Sequence, residues 1–112
     1  MKSVSPDILK EKKLIAMAVE PVVDRAKGVS LMQVRTVGDS YPYGLDVPGI
    51  SVLGPDREGR FRVDVHISVA RVKIPEVADR LRSEIWREFQ ERNIADRIKN
   101  VDIYVEDLMM TV

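Results

Sequence analysis

The sequence contains one histidine, and acid–base chemistry at neutral pH would depend on it. His66 lies two residues from Asp64, and the apolar alternation around them predicts that both side chains share one face of a strand. A hydrogen bond between them would pair the imidazole with a carboxylate, and Ser40 would supply the hydroxyl of a Ser/His/Asp site. Neither Ser40 nor Ser51 lies in a G-x-S-x-G turn, and a polar residue on the outer face of a strand explains His66 without catalysis. We therefore predict a protein that is not an enzyme and has no catalytic residues.

Cofactor and metal sites are not indicated by the residue types. The sequence has no cysteine, and its carboxylates are scattered among arginines, which does not form a ligand set for zinc or calcium. The glycines match neither phosphate-binding pattern, G-x-G-x-x-G or G-x-x-x-x-G-K-[ST]. We predict no cofactor and no metal.

The outer face of the predicted sheet suggests an alternative function, which is RNA binding. Arg60 and Arg62 would contact phosphates, and Tyr104 would stack on a base. However, 18 basic residues balance 18 acidic ones, whereas nucleic-acid-binding proteins usually carry a basic excess. Asp64 and Asp102 also share this predicted face. A small RNA-binding module is therefore the alternative, and the main interpretation has no nucleic-acid partner.

Several apolar residues are better explained by contact with another protein chain. A tryptophan lies one position off the apolar stripe of the second predicted helix, where it seals the rim of the core or anchors a partner. Adjacent apolar residues in the first predicted strand must point to opposite faces, so one side of that strand is free to meet a second copy. A Tyr-Pro-Tyr loop adds aromatic surface. The candidate residues for self-association and partner binding are Trp86, Leu31, Met32, Val34, Tyr41 and Tyr43.

Length and composition indicate one globular domain over residues 1–112. Apolar residues make up 45% of the chain and charged residues 32%, which is the balance of a folded protein rather than a disordered one. The absence of cysteine fits a reducing cytoplasm. No apolar run reaches the roughly 18–20 residues that cross a bilayer, and the first residues do not form a secretory signal. We expect a cytoplasmic protein without direct membrane insertion, which reaches a membrane only through a partner.

The first helix is predicted to begin at Ser5-Pro6-Asp7, where serine caps, proline suits the first turn and aspartate suits the helix dipole. Gly28 is the predicted stop. Pro21 predicts a kink or two abutting helices near Glu20. The apolar positions at near-helical spacing are Ile8, Leu14, Ile15, Ala18, Val22, Val23 and Ala26.

Four strands and a second helix follow from the remaining periodicities. Pro75 opens the second helix, whose apolar stripe runs from Val77 to Phe89. The segment 38–49 has no periodicity and is predicted to be a loop. The predicted strands are Val29–Val37, Ile50–Leu53, Arg60–Ala70 and Val101–Val105.

These elements have the order α-β-β-β-α-β. A strand–helix–strand crossover places its two strands in parallel, and a hairpin places its strands antiparallel. The sequence therefore predicts an α+β fold: a two-layer domain with a small mixed sheet of about four strands and two main helices packed on one face.

Four segments of the chain resemble the alkaline shock protein 23 family, a set of small general-stress proteins found mainly in Gram-positive bacteria. They read "KGVSLMQV", "PGISVLGPDREGRFRVDVHISVA", "IPEVADRLRSEI" and "IKNVDIYVEDL". The similarity spans about residues 8 to 108. Its most specific parts are the strand-to-helix passage at residues 74–78 and the closing strand at residues 101–105.

The resemblance implies a cytoplasmic protein of the cell-envelope stress response that lies near the membrane. Members are thought to assemble with themselves and to be recruited by a small membrane-anchored protein. The family has no established catalytic residues, so none is assigned to this chain. The expected function is a non-catalytic scaffold or adaptor that acts as a homo-oligomer and binds a membrane-anchored protein partner.

Overall fold

Helices and strands follow one another in the predicted order. The structure is a computed structural model, and it describes residues 6–26, 28–31, 49–70 and 74–109. The last strand is longer than the predicted Val101–Val105, because it begins before this segment and continues beyond it. The elements are α1 (Pro6–Arg25), β1 (Val29–Leu31), β2 (Ile50–Leu53), β3 (Phe61–Ala70), α2 (Ile74–Glu91) and β4 (Ile98–Met109), with a short 3-10 helix at Ala95–Arg97.

Strand β3 is the centre of a four-stranded sheet. Strand β4 pairs with it in parallel along its whole length, from Phe61 to Ala70. Strand β1 pairs antiparallel with one end of β3, opposite Ile67 to Val69, and β2 pairs antiparallel with the other end, opposite Arg62 to Val65. Because a strand has only two edges, β1 and β2 share the edge that β4 leaves. The sheet is mixed, as the order of elements predicts.

The core lies between the sheet and both helices. Alternate residues of β3 point to the helices and are almost completely buried: Phe61, Val63, Val65, Ile67 and Val69. Burying one such side chain stabilises the fold by about 1.5–3 kcal/mol. Helix α1 contributes Ile15, Ala18, Val19, Val22 and Val23 to the same cluster, and α2 contributes Leu81, Ile85 and Phe89. The predicted α+β class, with two helices on one face of the sheet, is confirmed.

The orientation of α1 differs from the prediction at Leu14, which the spacing places in the apolar stripe. Its side chain is 53% exposed. The buried side of α1 runs through Ile15, Val19 and Val22. Leu14 lies roughly 100° around the helix from Ile15, on the side away from Val19. The apolar spacing is therefore broader than the stripe that the sheet covers.

Helix α1 also continues through Pro21 as one helix. Of the two predicted alternatives, the two abutting helices are therefore wrong, and the kink stays a prediction. A proline in a helix removes the N–H that would bond to the carbonyl four residues earlier, which is the carbonyl of Met17. Met17 lies on the exposed side of α1, at 48% exposure. The remaining backbone hydrogen bonds keep the helix continuous across this position.

The first strand is confirmed only over Val29–Leu31. The rest of the predicted strand Val29–Val37, the predicted loop and the helix-capping residue Ser5 lie outside the described residues.

Candidate functional site

The partner-binding residues predicted from sequence fall into two groups. Trp86 is half-buried and packs against the core, with its ring edge-on to Phe89 at a centroid distance of 6.0 Å. Leu31 is also half-buried and packs against the core. These two residues therefore close the rim of the core, and they present only part of their surface to a partner. The other four candidates, Met32, Val34, Tyr41 and Tyr43, lie outside the described residues.

The larger exposed apolar surface lies on α1. Leu14 and Met17 are 53% and 48% exposed, on the side of the helix that faces away from the sheet. Pro21 follows at the same helical spacing and is half-buried. Residues three and four positions apart lie on one side of a helix, so these three form a stripe, which we call the α1 patch. The apolar spacing of α1 assigns Leu14 to the core, so the sequence does not predict the patch.

A small cavity opens beside the α1 patch, between α1 and the 3-10 helix. Its volume is about 220 Å³. The Arg97 guanidinium donates a hydrogen bond of 2.8 Å to the Glu11 carboxylate at its rim, and this ion pair ties the two helices together. The residues that line the cavity are Asp7, Lys10, Glu11, Leu14, Ile15, Ile94 and Arg97. The α1 patch is therefore continuous with a concave apolar surface that has charged groups at its edge.

The outer sheet face, on the side away from the helices, is polar. The register places Asp64 between Ser51 and Asp102. His66 and Tyr104 are also directly opposite each other, and their rings stack with centroids 4.9 Å apart and planes at 15°. The alternation of the sequence predicts that these residues share one face. It does not predict the stack, because the stack depends on the register of two strands that are distant in sequence.

Two of the RNA-binding candidates, Arg62 and Tyr104, lie on the outer sheet face, and the third, Arg60, directly precedes β3. Nearby carboxylates offset the charge of both arginines. Arg62 is 3.5 Å from the Asp64 carboxylate, and Arg60 is 3.7 Å from the Glu58 carboxylate. Tyr104 is 43% exposed. Because each guanidinium already faces an anion, its attraction for a phosphate is weakened. The arrangement does not favour RNA binding.

Asp64 is the most unusual residue of the outer sheet face. It is 8% exposed, and its Oδ1 atom is buried without a hydrogen-bond partner among the described residues. Burial raises the pKa of the Asp64 carboxyl, and the charge of Asp102 raises it further, although the positive charges of Arg62 and His66 oppose this shift. Asp64 therefore holds its negative charge at a cost to folding.

The residues of the hypothetical Ser/His/Asp site are not all described. Ser40 lies outside the described residues. The other oxygen of the Asp64 carboxylate, Oδ2, faces Arg62, and the His66 ring stacks on Tyr104.

Within the described ranges, no group of three metal-ligating side chains could hold a metal ion. No helix in the described part of the chain combines the length and the apolar character needed to cross a bilayer.

Comparison with known proteins finds no match for this chain. No family model, no curated protein and no solved structure matches it. The similarity to the alkaline shock protein 23 family therefore stays a resemblance of sequence patterns.

Proposed function

We propose that this chain is a non-catalytic scaffold or adaptor, which binds a helix of a partner protein through the α1 patch and also associates with itself. The observation that carries the proposal is the exposure of Leu14 and Met17 on the outer side of a helix whose inner side is fully packed. A helix needs only one apolar side to join the core, so a second apolar stripe adds nothing to this fold.

The shape of the α1 patch fits an amphipathic helix of a partner. Leu14, Met17 and Pro21 repeat at intervals of three and four residues, which is the spacing by which two helices pack against each other. The cavity beside Leu14 gives a partner side chain a place to insert. Methionine adapts its shape to different neighbours, which suits a binding surface. Covering both exposed side chains would contribute about 1.5–3 kcal/mol to binding.

The biological setting of the proposal comes from the sequence resemblance alone. It makes the partner a membrane-anchored protein and the process the cell-envelope stress response. The α1 patch supplies a contact by which such a partner would recruit the chain to a membrane, since the chain would then need no apolar anchor of its own.

The test compares two double variants of α1 in capture from detergent-solubilised membranes. L14Q/M17Q removes the apolar side chains of the patch, whereas the control K13Q/E20Q changes two exposed polar residues of the same helix. We expect a partner that co-purifies with the wild type and the control and is reduced about 10- to 100-fold with L14Q/M17Q. Equal capture by all three proteins would contradict the proposal, provided that their circular dichroism and melting temperatures agree.

A further inference from the structure

Strand β4 has one edge paired with β3 and one edge that no described residue pairs with. It is the longest strand in the described part of the chain, with 12 residues. An unpaired edge is a row of backbone donors and acceptors, and it is a template for pairing with another chain.

The direction of each group follows from one hydrogen bond on the other side of β3. The His66 N–H donates to the Gly49 carbonyl, at 2.7 Å, so His66 points its backbone groups toward β2. Alternate residues of a strand point to opposite edges, so Val63 and Val65 point theirs toward β4. In a parallel pair the residue directly opposite is bypassed, and its own groups point away. Val101 lies opposite Val63 and Ile103 lies opposite Val65, so the backbone N–H and C=O groups of Val101 and Ile103 point away from β3. Those of Val105 also point away from β3, because every second residue of a strand points in the same direction.

A contact from α2 agrees with this assignment. The Arg82 Nε donates a hydrogen bond of 3.2 Å to the Val101 carbonyl. A side chain reaches this oxygen because it points away from β3. The ladder between β3 and β4 is irregular at two points, between Phe61 and Arg62 and between Ile67 and Ser68. The regular stretch of β4 between them contains all three outward residues.

We infer that a second copy of this chain pairs with the outer edge of β4, antiparallel and centred on Ile103. In this register Ile103 faces Ile103 of the other copy, and Val101 faces Val105. Every outward N–H and C=O of these three residues then has a partner, and the apolar faces of both copies lie on the same side of one continuous sheet. This inference rests on the self-association included in the proposed function and assigns it a surface and a geometry.

Charge selects this register over its neighbours. A register centred on Asp102 would place that carboxylate directly opposite its own copy, and one centred on Tyr104 would place Asp102 opposite Glu106. Like charges directly opposite each other destabilise a strand pair. In the register centred on Ile103, Asp102 faces Tyr104. Shifts by an odd number of residues would turn the apolar face of one copy to the polar face of the other.

The test uses cysteines, of which the chain has none. Residues 102 and 104 of the two copies form a pair that is not hydrogen-bonded, for which the Cα–Cα distance is about 4.5 Å, within the range of about 4.4–6.8 Å that a disulfide spans. We expect a mixture of D102C and Y104C to form a mixed disulfide-linked dimer under mild oxidation. Each variant alone should form far less, and so should the control S83C, whose position on α2 is exposed.

Other cross-linking patterns would overturn the inference. Equal linkage of D102C with itself would indicate the register centred on Asp102, and linkage of Y104C with itself would indicate the one centred on Tyr104. Absence of the mixed disulfide, with a monomer in light scattering up to about 1 mM wild-type protein, would exclude edge pairing. L14Q/M17Q should retain the mixed disulfide in a 102/104 cysteine background, so failure of the edge and failure of the α1 patch are distinguishable.

Arg82 supplies a second readout that a merely structural role would not give. Its guanidinium donates a hydrogen bond to the Val101 carbonyl. This hydrogen bond must break before the second copy can pair with that carbonyl. We expect Arg82→Ala to strengthen self-association by about two- to tenfold, the effect of one hydrogen bond. Weaker association of a folded Arg82→Ala protein would contradict the assignment of the edge.

Discussion

Helices α1 and α2 pack side by side on the same face of the sheet, but they expose different kinds of side chain to solvent. Charged side chains of α2 form ion pairs: Glu88 lies 2.7 Å from Arg92, which directly follows the helix, and Asp79 lies 3.1 Å from Arg82. Among the described side chains, the large apolar ones that are exposed are Leu14, Met17 and Tyr104, and none of them belongs to α2. The surface of α2 therefore carries ion pairs, whereas α1 exposes the apolar side chains of the α1 patch.

The largest expected effect is a difference in the free energy of unfolding between alanine substitutions at two leucines, one on each helix. Leu81 on α2 is 1% exposed and Leu14 on α1 is 53% exposed. We expect Leu81→Ala to lower the free energy of unfolding by about 2–5 kcal/mol, because it leaves a cavity in the core. Leu14→Ala should change it by about 0.5 kcal/mol or less. Urea denaturation measures both values, and a cost at Leu14 that approaches the cost at Leu81 would show that Leu14 is packed.

The second prediction concerns the proline of α1, which α2 lacks in its interior. Pro21→Ala restores a donor for the Met17 carbonyl, and alanine is about 3 kcal/mol more favourable than proline within a helix. The stiffness of proline in the unfolded chain offsets part of the difference. We expect the variant to raise the free energy of unfolding by about 1–2 kcal/mol. Destabilisation in urea would show instead that the packing of α1 depends on the proline ring.

A third prediction contrasts the paired carboxylates of α2 with the buried one of the sheet. Because the pKa of Asp64 is raised on folding, the folded state binds more protons than the unfolded state between the ordinary pKa and the raised one. The free energy of unfolding therefore falls as the pH rises through this window. Asp64→Asn should be more stable than the wild type at neutral pH, and its advantage should shrink on acidification. Thermal melts across pH check this, and an advantage that grows toward low pH would contradict it.

The smallest effect has the opposite pH dependence. The hydrogen bond from Arg92 lowers the pKa of Glu88, and the charge of Arg25 on α1 contributes. The stabilisation by Glu88 is present above the ordinary carboxyl pKa and is lost as the pH falls through the lowered one. Glu88→Gln should lower the melting temperature slightly at neutral pH and low salt. The difference should disappear at low pH, and a difference that persists there would mean that packing, not charge, is responsible.

The sequence predicts those parts of the fold for which the spacing of apolar residues is compatible with only one structure. The alternation of Phe61, Val63 and Val65 predicts the inner face of β3, and the crossover through α2 predicts the parallel partner β4. The position of Leu14 is not predictable in this way, because an apolar residue at the border of a helical stripe fits either side. How much of the stripe is covered depends on where the sheet lies.

The sequence also predicts some features of the protein surface and not others. The polar character of the outer sheet face is evident from the residues between the apolar ones of β3. The stack of His66 on Tyr104 and the burial of Asp64 depend on the register between β3 and β4, which alternation alone does not fix. The sequence leaves two roles open for Trp86, a seal at the rim of the core or an anchor for a partner, and the structure shows its ring against Phe89 and the core.

Site-specific photo-crosslinking in living cells tests the central claim most directly. A photoreactive amino acid at position 17 lies on the α1 patch, and the same residue at position 83 lies on the exposed side of α2. The proposed adaptor function predicts a discrete covalent adduct with another protein from position 17 and none from position 83. Equal adducts from both positions, or no adduct from position 17, would contradict the claim that α1 is the contact side of this protein.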